Sequence, residues 1–431
     1  PNDAIDRTKL IIADCVAAIV GGNAEPEMTA LRETANAQVA GPALILGAPR
    51  QTSTSQAALI NGTAGTFLEM DEGQTFSKGH PGMHTLPAAL AYAQSNDVSG
   101  ADFLAATAIG YDVGARVGIG SALRLTMHPH GTWGAINAAT AVARLARCDT
   151  EKMKTAINIS ATLGLATSRR TMLEGGTIRN AFAGVSGQMG IMTGDLIEAG
   201  FCGEVDGVAH VYGRVVSDTF NPDAAVEDLG VRWEVTRNYF KMHSCCRFNH
   251  ATLDALDMIS KDTNGTLTPE NIDRIEVDTY SLAVELDDPK PGNTLAGKFS
   301  LPFSLATTII NGSSGVQSFT WDQIERDDVR ALAAKVIVRE DADMSAQLPA
   351  RRPAKLAITM TDGRRLEAAT ETNRGDWSDP YRPDELREKY LNLTGRLWTE
   401  SGAKAVHDEI MTLEQAPSIK RLSELMQTAV R

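Results

Sequence analysis

The sequence predicts a mainly α protein, built as a large all-helical domain followed by a smaller α+β domain. Two observations carry this. Apolar residues up to about residue 265 recur at three- and four-residue steps, as at Ile136, Ala139, Val142 and Ala143. Beyond that point alternating strand patterns and a hairpin signal appear. A chain of 431 residues is long enough for two or three domains with a large core.

The elements follow in order. PNDAIDRTKLIIADCVAAIVGG opens the chain as a helix with aspartates at its start; it lacks the basic region and cleavage site of a signal peptide. Gly110, Gly114, Gly118, Gly120 and Gly134 fall within or beside helical sequence, which points to close helix–helix approach. KDTNGTLTPENI reads as a turn leading to a short N-capped piece. RIEVDTYS (274–281) alternates, with Ile275, Val277 and Thr279 on one face. Residues 298–313 and 320–335 are expected to be helical and KVIVRED (335–341) a strand. Residues 354–371 form a hairpin candidate turning at Asp362-Gly363. Helices near 383–393 and within 400–430 close the chain. The expected domains are 1–265 (helical) and 266–396 (α+β), with residues 397–431 packing back on the first.

Composition narrows the function. Hydrophobic residues make up 43% and charged residues 22%, as in ordinary globular proteins. A net charge of −13 argues against a nucleic-acid partner, which rewards basic surfaces, but leaves room for an anionic substrate in a locally basic pocket. No apolar run has the length of a membrane span. Five cysteines, few and odd in number, suit a reducing cytoplasm. The chain has no Gly-x-Gly-x-x-Gly after a strand, Walker-type loop, Gly-x-Ser-x-Gly elbow, His-Glu-x-x-His or Cys-x-x-Cys. This lowers the expectation of nucleotide, serine-hydrolase, zinc-protease or iron–sulfur chemistry.

Charge and imidazole gather in a few loops. EMDEGQTFSKGHPGMH (69–84) holds Glu69, Asp71, Glu72, Lys78, His80 and His84 between apolar helical segments. His80 suits proton transfer, and Pro81 biases its backbone away from helix; His84 suits a structural place on the next helix. In MHPHG (127–131) His128 suits acid–base or binding work, and two histidines without a third ligand are weak evidence for metal. RRTMLEGGTIRNAFAG (169–184) sets Arg169, Arg170 and Arg179 around a double glycine at a helix start, where guanidinium forks and helix N-termini suit carboxylates. YFKMHSCCRFNH (239–250) gathers Lys241, His243, Arg247 and His250, with Lys241 placed as a base or clamp.

These segments carry a resemblance. GTAGTFLEMDEGQTFSKGHPGMHTLPAALA, with its acidic run and its His-Pro before a helix, is similar to the MmgE/PrpD family. So are MHPHGTWGAINAATA, GGTIRNAFAGVSGQMG, YFKMHSCCRFNHATLDA and AGKFSLPFSLATTIINGS, in the family's order over nearly the whole chain. The resemblance implies a large helical domain, a smaller α+β domain, a homodimer, and no obligatory metal or organic cofactor. It places Glu69, Asp71, His80, His128, Arg179, Lys241 and His250 in the pocket. Five positions depart from the family pattern: Glu69 for aspartate, Gly73 for Thr or Ser, Arg179 for lysine, Phe182 for histidine and Phe303 for tyrosine. These departures weigh against aconitate decarboxylation.

Family reactions share loss or gain of a proton at a carbon next to a carboxylate, with charge developing on an enolate. The resulting expectation is a cytoplasmic, cofactor-independent lyase, foremost a hydro-lyase on a 2-methylcitrate-like di- or tricarboxylate. The alternatives are an iminodisuccinate-type epimerase and then a cis-aconitate-type decarboxylase. Asp71, His80, His128 and Lys241 form the expected catalytic set. Glu69, Lys78, Arg179, Arg247 and His250 form the expected binding set. Within it Arg179, together with Lys241, clamps carboxylates, His80 or His128 serves as base and acid, and Asp71 orients a histidine.

Overall fold

The computed structural model describes residues 1–36, 40–263 and 267–431. The expected domain boundary at 265/266, and part of the turn expected in KDTNGTLTPENI, lie outside the described residues. The protein is mainly helical with a small sheet content. Two compact units are present. The first comprises Pro1–Arg169, Ile178–Tyr239 and Arg382–Arg431, and the second Arg170–Thr177 and Phe240–Tyr381.

The first unit is built on α1 (Asn2–Gly22), α2 (Thr54–Phe67), α3 (Pro81–Gln94), α4 (Gly100–Gly120), α5 (Gly134–Leu145) and α6 (Phe182–Glu198). Serines set two of the starts: Ser53 Oγ accepts from the Gln56 N–H at 3.3 Å and Ser99 Oγ from the Asp102 N–H at 3.1 Å. Small side chains let these helices pack closely. Ala57 and Ala58 of α2, Ala88 and Ala91 of α3, and Ala138 of α5 share a buried cluster with Ile191 of α6. Helix Pro383–Thr394 packs on α1, where Lys389 reaches Asp14 at 2.5 Å with both groups buried.

This unit is not purely helical. β1 (Gly73–Gln74) pairs antiparallel with β2 (Asn238–Tyr239), and short pairs also join Ala43–Leu44 to Gln51–Thr52 and Ser121–Leu123 to Ser217–Phe220. Two- to four-residue strands are too short to show alternation, so sequence periodicity passes over them.

The second unit carries a four-stranded sheet of β3 (Ile272–Thr279), β4 (Val336–Glu340), β5 (Ala354–Met360) and β6 (Arg365–Thr370), ordered β6-β5-β3-β4. β3 and β4 run parallel; the other neighbours are antiparallel. Ile275, Val277 and Thr279 are buried together on one face, as their alternation requires. The β5–β6 turn contains Gly363 at φ +87°. α7 (His250–Asp262) packs on β5 and β6, and α8 (Leu301–Asn311) on α7. The helix expected over 320–335 is two helices, Trp321–Glu325 and Asp327–Ala333. Arg326 between them is extended, and Asp327 and Asp328 begin the second at its positive end. Phe303 is fully buried in this unit's core, its ring 6.0 Å from that of Phe319. Among the described residues no helix is long and apolar enough to cross a membrane.

Candidate active site

Three helix starts of the first unit converge. His80 is the residue before α3, His128 and His130 lie in the loop before α5, and Arg179 sits in the short 3-10 turn that leads into α6. The His80 and His130 rings are 5.3 Å apart, and His130 lies 6.3 Å from Phe182, the first residue of α6. Each helix start presents N–H groups and the positive end of its dipole, so the place where they meet favours negative charge. The loop conformations are specialised. Glu69 and Lys78 have φ +54° and +62°, a region costly for residues with a side chain, and Gly131 has φ +90°.

His80 is held through one nitrogen. Its Nδ1 lies 2.7 Å from the Glu72 carbonyl oxygen and 3.0 Å from Asp71 Oδ2. Both partners are acceptors, so Nδ1 carries the hydrogen and Nε2 keeps its lone pair. Asp71 is fully buried, whereas His80 retains some exposure.

His128 is held the opposite way. Its Nδ1 accepts the His130 backbone N–H at 2.9 Å, so a neutral ring carries its hydrogen on Nε2. Among the described residues Nε2 has no hydrogen-bond partner. Burial, and then the nearby Arg179 guanidinium, hold His128 well below the ordinary imidazole range, which keeps it neutral. His130 is lowered in the same way, by burial and then Arg179. His84 falls to about 3, by burial and then His80. His84 Nε2 accepts the Gly131 N–H at 3.2 Å and lies 3.3 Å from His130 Nδ1, which therefore donates to it. Gly134 makes room for this arrangement, since a Cβ there would lie 2.3 Å from His84 Nδ1.

Arg179 and Glu69 form an ion pair with both side chains almost wholly buried. Beneath His80 lies a second carboxyl. Glu72 Oε1 accepts the Gly82 N–H at 2.8 Å, and the Tyr111 hydroxyl is 3.0 Å from Oε2. Burial lifts the Glu72 carboxyl to about 8, so it is mostly protonated at neutral pH. The folded state therefore binds this proton more tightly than the unfolded chain, whose value is 4.5. The stabilisation is complete below about 4.5 and is lost as pH rises toward 8, at about 1.4 kcal/mol per pH unit. Glu72→Gln, which keeps the shape and both contacts, is expected to remove this fall. Chemical denaturation of both proteins from pH 5 to 8 checks it, and equal slopes would contradict it.

Lys78 is exposed on the loop. In the second unit Lys241 and His250 are fully buried, and Arg247 is engaged by Asp376 and by Asn373 Oδ1 at 3.0 Å. His250 Nε2 donates to the Cys245 carbonyl at 3.1 Å. Burial and then His243 hold its ring well below the usual range. Among the described residues one group has metal-ligating geometry: His243, Asp254 and Asp257, with ligand atoms within 4.8 Å of one another. There His243 already contacts Ser314 Oγ at 2.5 Å and Asp254 Oδ1 at 3.0 Å. The sequence marks Glu72 in the acidic run and His130 beside His128 but puts neither in the expected site set, and Tyr111 has no local signal at all.

Fold and site together define a mainly helical protein that sets neutral imidazoles, a histidine–carboxylate pair and a buried arginine at converging helix starts. The chain belongs to the MmgE/PrpD family: residues 1–223 match the MmgE/PrpD N-terminal domain and residues 243–415 the MmgE/PrpD C-terminal domain. It is similar to a cis-aconitate decarboxylase of Aspergillus terreus, 23% identical over 461 residues that cover 100% of this chain and 93% of the relative. It is likewise similar to the cis-aconitate decarboxylase-like protein oryM of Aspergillus oryzae, at 22% identity, with 99% of this chain and 93% of that protein covered. Similarity to the cis-aconitate decarboxylase of Mus musculus is local, at 22% identity over 32% of this chain and 28% of the mouse protein.

Proposed function

We propose that the protein is a lyase acting on a small di- or tricarboxylate by proton transfer at the carbon beside a carboxylate. The observation that carries this reading is the opposed hydrogen bonding of two histidines at the helix starts. His80 keeps a lone pair on Nε2, and His128 keeps a hydrogen on its own Nε2. His80 takes the proton from carbon, with Asp71 stabilising the imidazolium that forms. His128, too weak a base to be protonated, donates a hydrogen bond to the carboxylate as enolate charge grows on it. The converging helix starts and Arg179 add positive potential for the substrate.

For a hydro-lyase the protonated His80 returns its proton to the departing hydroxyl. The C–H and C–O bonds break, an alkene forms and water leaves. Decarboxylation is the second reading, favoured by the names of the curated relatives. In that case His80 begins as imidazolium and protonates the carbon after carbon dioxide leaves. The expected role of Lys241 rests on its place in the 239–250 cluster and on the family resemblance, and the place of His250 in the pocket on that resemblance.

The test is to incubate the purified protein with a panel of di- and tricarboxylates in deuterium oxide and follow the C–H signals by proton NMR. An alkene signal with retained carbon count is the expected result, and carbon dioxide release supports the second reading. Folded protein that neither exchanges nor converts any acid would overturn both.

A further inference from the structure

Gly73 lies two residues after Asp71, on the loop that ends in His80, and pairs directly with Tyr239 in the β1–β2 ladder. A Cβ at position 73 would lie 2.3 Å from the Tyr239 hydroxyl oxygen and 2.4 Å from Cζ, far inside contact distance. The space that a side chain at 73 would fill is thus occupied by the phenol of Tyr239. That ring is buried and stands nearly perpendicular to His80, with centroids 6.4 Å apart. Both strands are fixed. The Gln74 N–H donates to the Gly79 carbonyl at 2.9 Å, and Gln74 Nε2 donates to Glu234 Oε2 at 2.7 Å. Arg7 Nη2 donates to the Asn238 carbonyl at 3.1 Å, and Arg7 Nε to the Asn238 side chain. A phenol held this firmly at the edge of a histidine is a wall with one polar group, the kind of feature that separates substrates by shape and by a single hydrogen bond.

We propose that Tyr239 is a specificity-determining residue of the site, standing in for the absent side chain at position 73 and presenting its hydroxyl beside His80 to the carboxylate substrate. The inference rests on the lyase reading above. The step from Tyr to Phe removes only the hydroxyl and keeps the packing. Tyr239→Ala opens the wall, and Tyr239→Ala with Gly73→Ser moves a hydroxyl to the other strand.

The experiment measures kcat and KM across the carboxylate panel for wild type, Tyr239→Phe, Tyr239→Ala and the double variant. Tyr239→Phe is expected to raise KM for the preferred acid about tenfold with kcat little changed. Tyr239→Ala is expected to reorder the panel toward bulkier acids by about ten- to a hundredfold, and the double variant to recover part of the lost KM. Active wild type with an unchanged ranking and KM in both Tyr239→Phe and Tyr239→Ala would overturn the proposal and leave the lyase reading intact. Should Tyr239→Ala not fold, an unchanged ranking and KM in Tyr239→Phe alone would overturn it. Wild type inert on the whole panel would overturn the lyase reading and the proposal with it.

Discussion

His80→Ala is expected to lower kcat by about a hundredfold to ten-thousandfold in a protein that still folds, because it removes the proposed base; it also takes a donor from the buried Asp71 carboxylate, so some stability is lost with it. The side chain lies at the head of α3, partly exposed; Nδ1 contacts Asp71 and the Glu72 carbonyl, and the ring stands edge-on to those of His130 and Tyr239. Asp71→Asn gives a smaller loss, about ten- to a hundredfold, since the amide can still position the ring but no longer stabilises its charge. The order matters: a base acting through an orienting carboxylate loses more when the base is removed. If Asp71→Asn were as severe as His80→Ala, Asp71 would itself be handling the proton. Steady-state kinetics on the preferred acid, with circular dichroism as the folding control, decide between these.

Arg179→Ala is expected to be the most destabilising of the site substitutions, by about 3–5 kcal/mol, because it strands the buried Glu69 carboxylate without its partner. Glu69→Gln combined with Arg179→Met removes both charges and is expected to recover most of that loss while leaving the protein inactive. A buried ion pair is costly to break from one side and cheap to replace as a unit. Denaturant unfolding of the single and double variants checks it. Equal loss in both would show that the pair is not what holds this corner of the fold.

Much of this organisation was legible in the residues. The alternation at Ile275, Val277 and Thr279 and the Asp362-Gly363 turn announced strands because one buried face imposes a period of two. The helical periodicity of the first unit did the same for its alanine-rich core. The two-residue strands did not show, and β1–β2 matters most among them, because it brings Tyr239 onto Gly73 from far along the chain. Gly73 is visible as an unusual residue, but its meaning depends on a ring that sequence spacing cannot place. The same holds for the histidines. MHPHG marks the loop, yet which nitrogen of His128 carries the hydrogen depends on the turn of His130's backbone. Glu72 sat in plain view in the acidic run; its protonation follows from burial, which outweighs the hydrogen bonds from the Tyr111 hydroxyl and the Gly82 N–H of α3, and no local pattern encodes that balance.

The proposed division of labour between His80 and His128 can be tested without any substrate. Nitrogen-15 NMR of the histidine-labelled protein, assigned with His80→Ala and His128→Ala, reports the tautomer and charge of each ring. The expected result is a hydrogen on Nδ1 of His80, a hydrogen on Nε2 of His128, and a His128 ring that stays neutral through the range where an ordinary imidazole takes up its proton. A His128 that carries its hydrogen on Nδ1, or that becomes charged near pH 6.5, would contradict its role as a neutral donor and leave His80 without the partner that the proposed reaction requires.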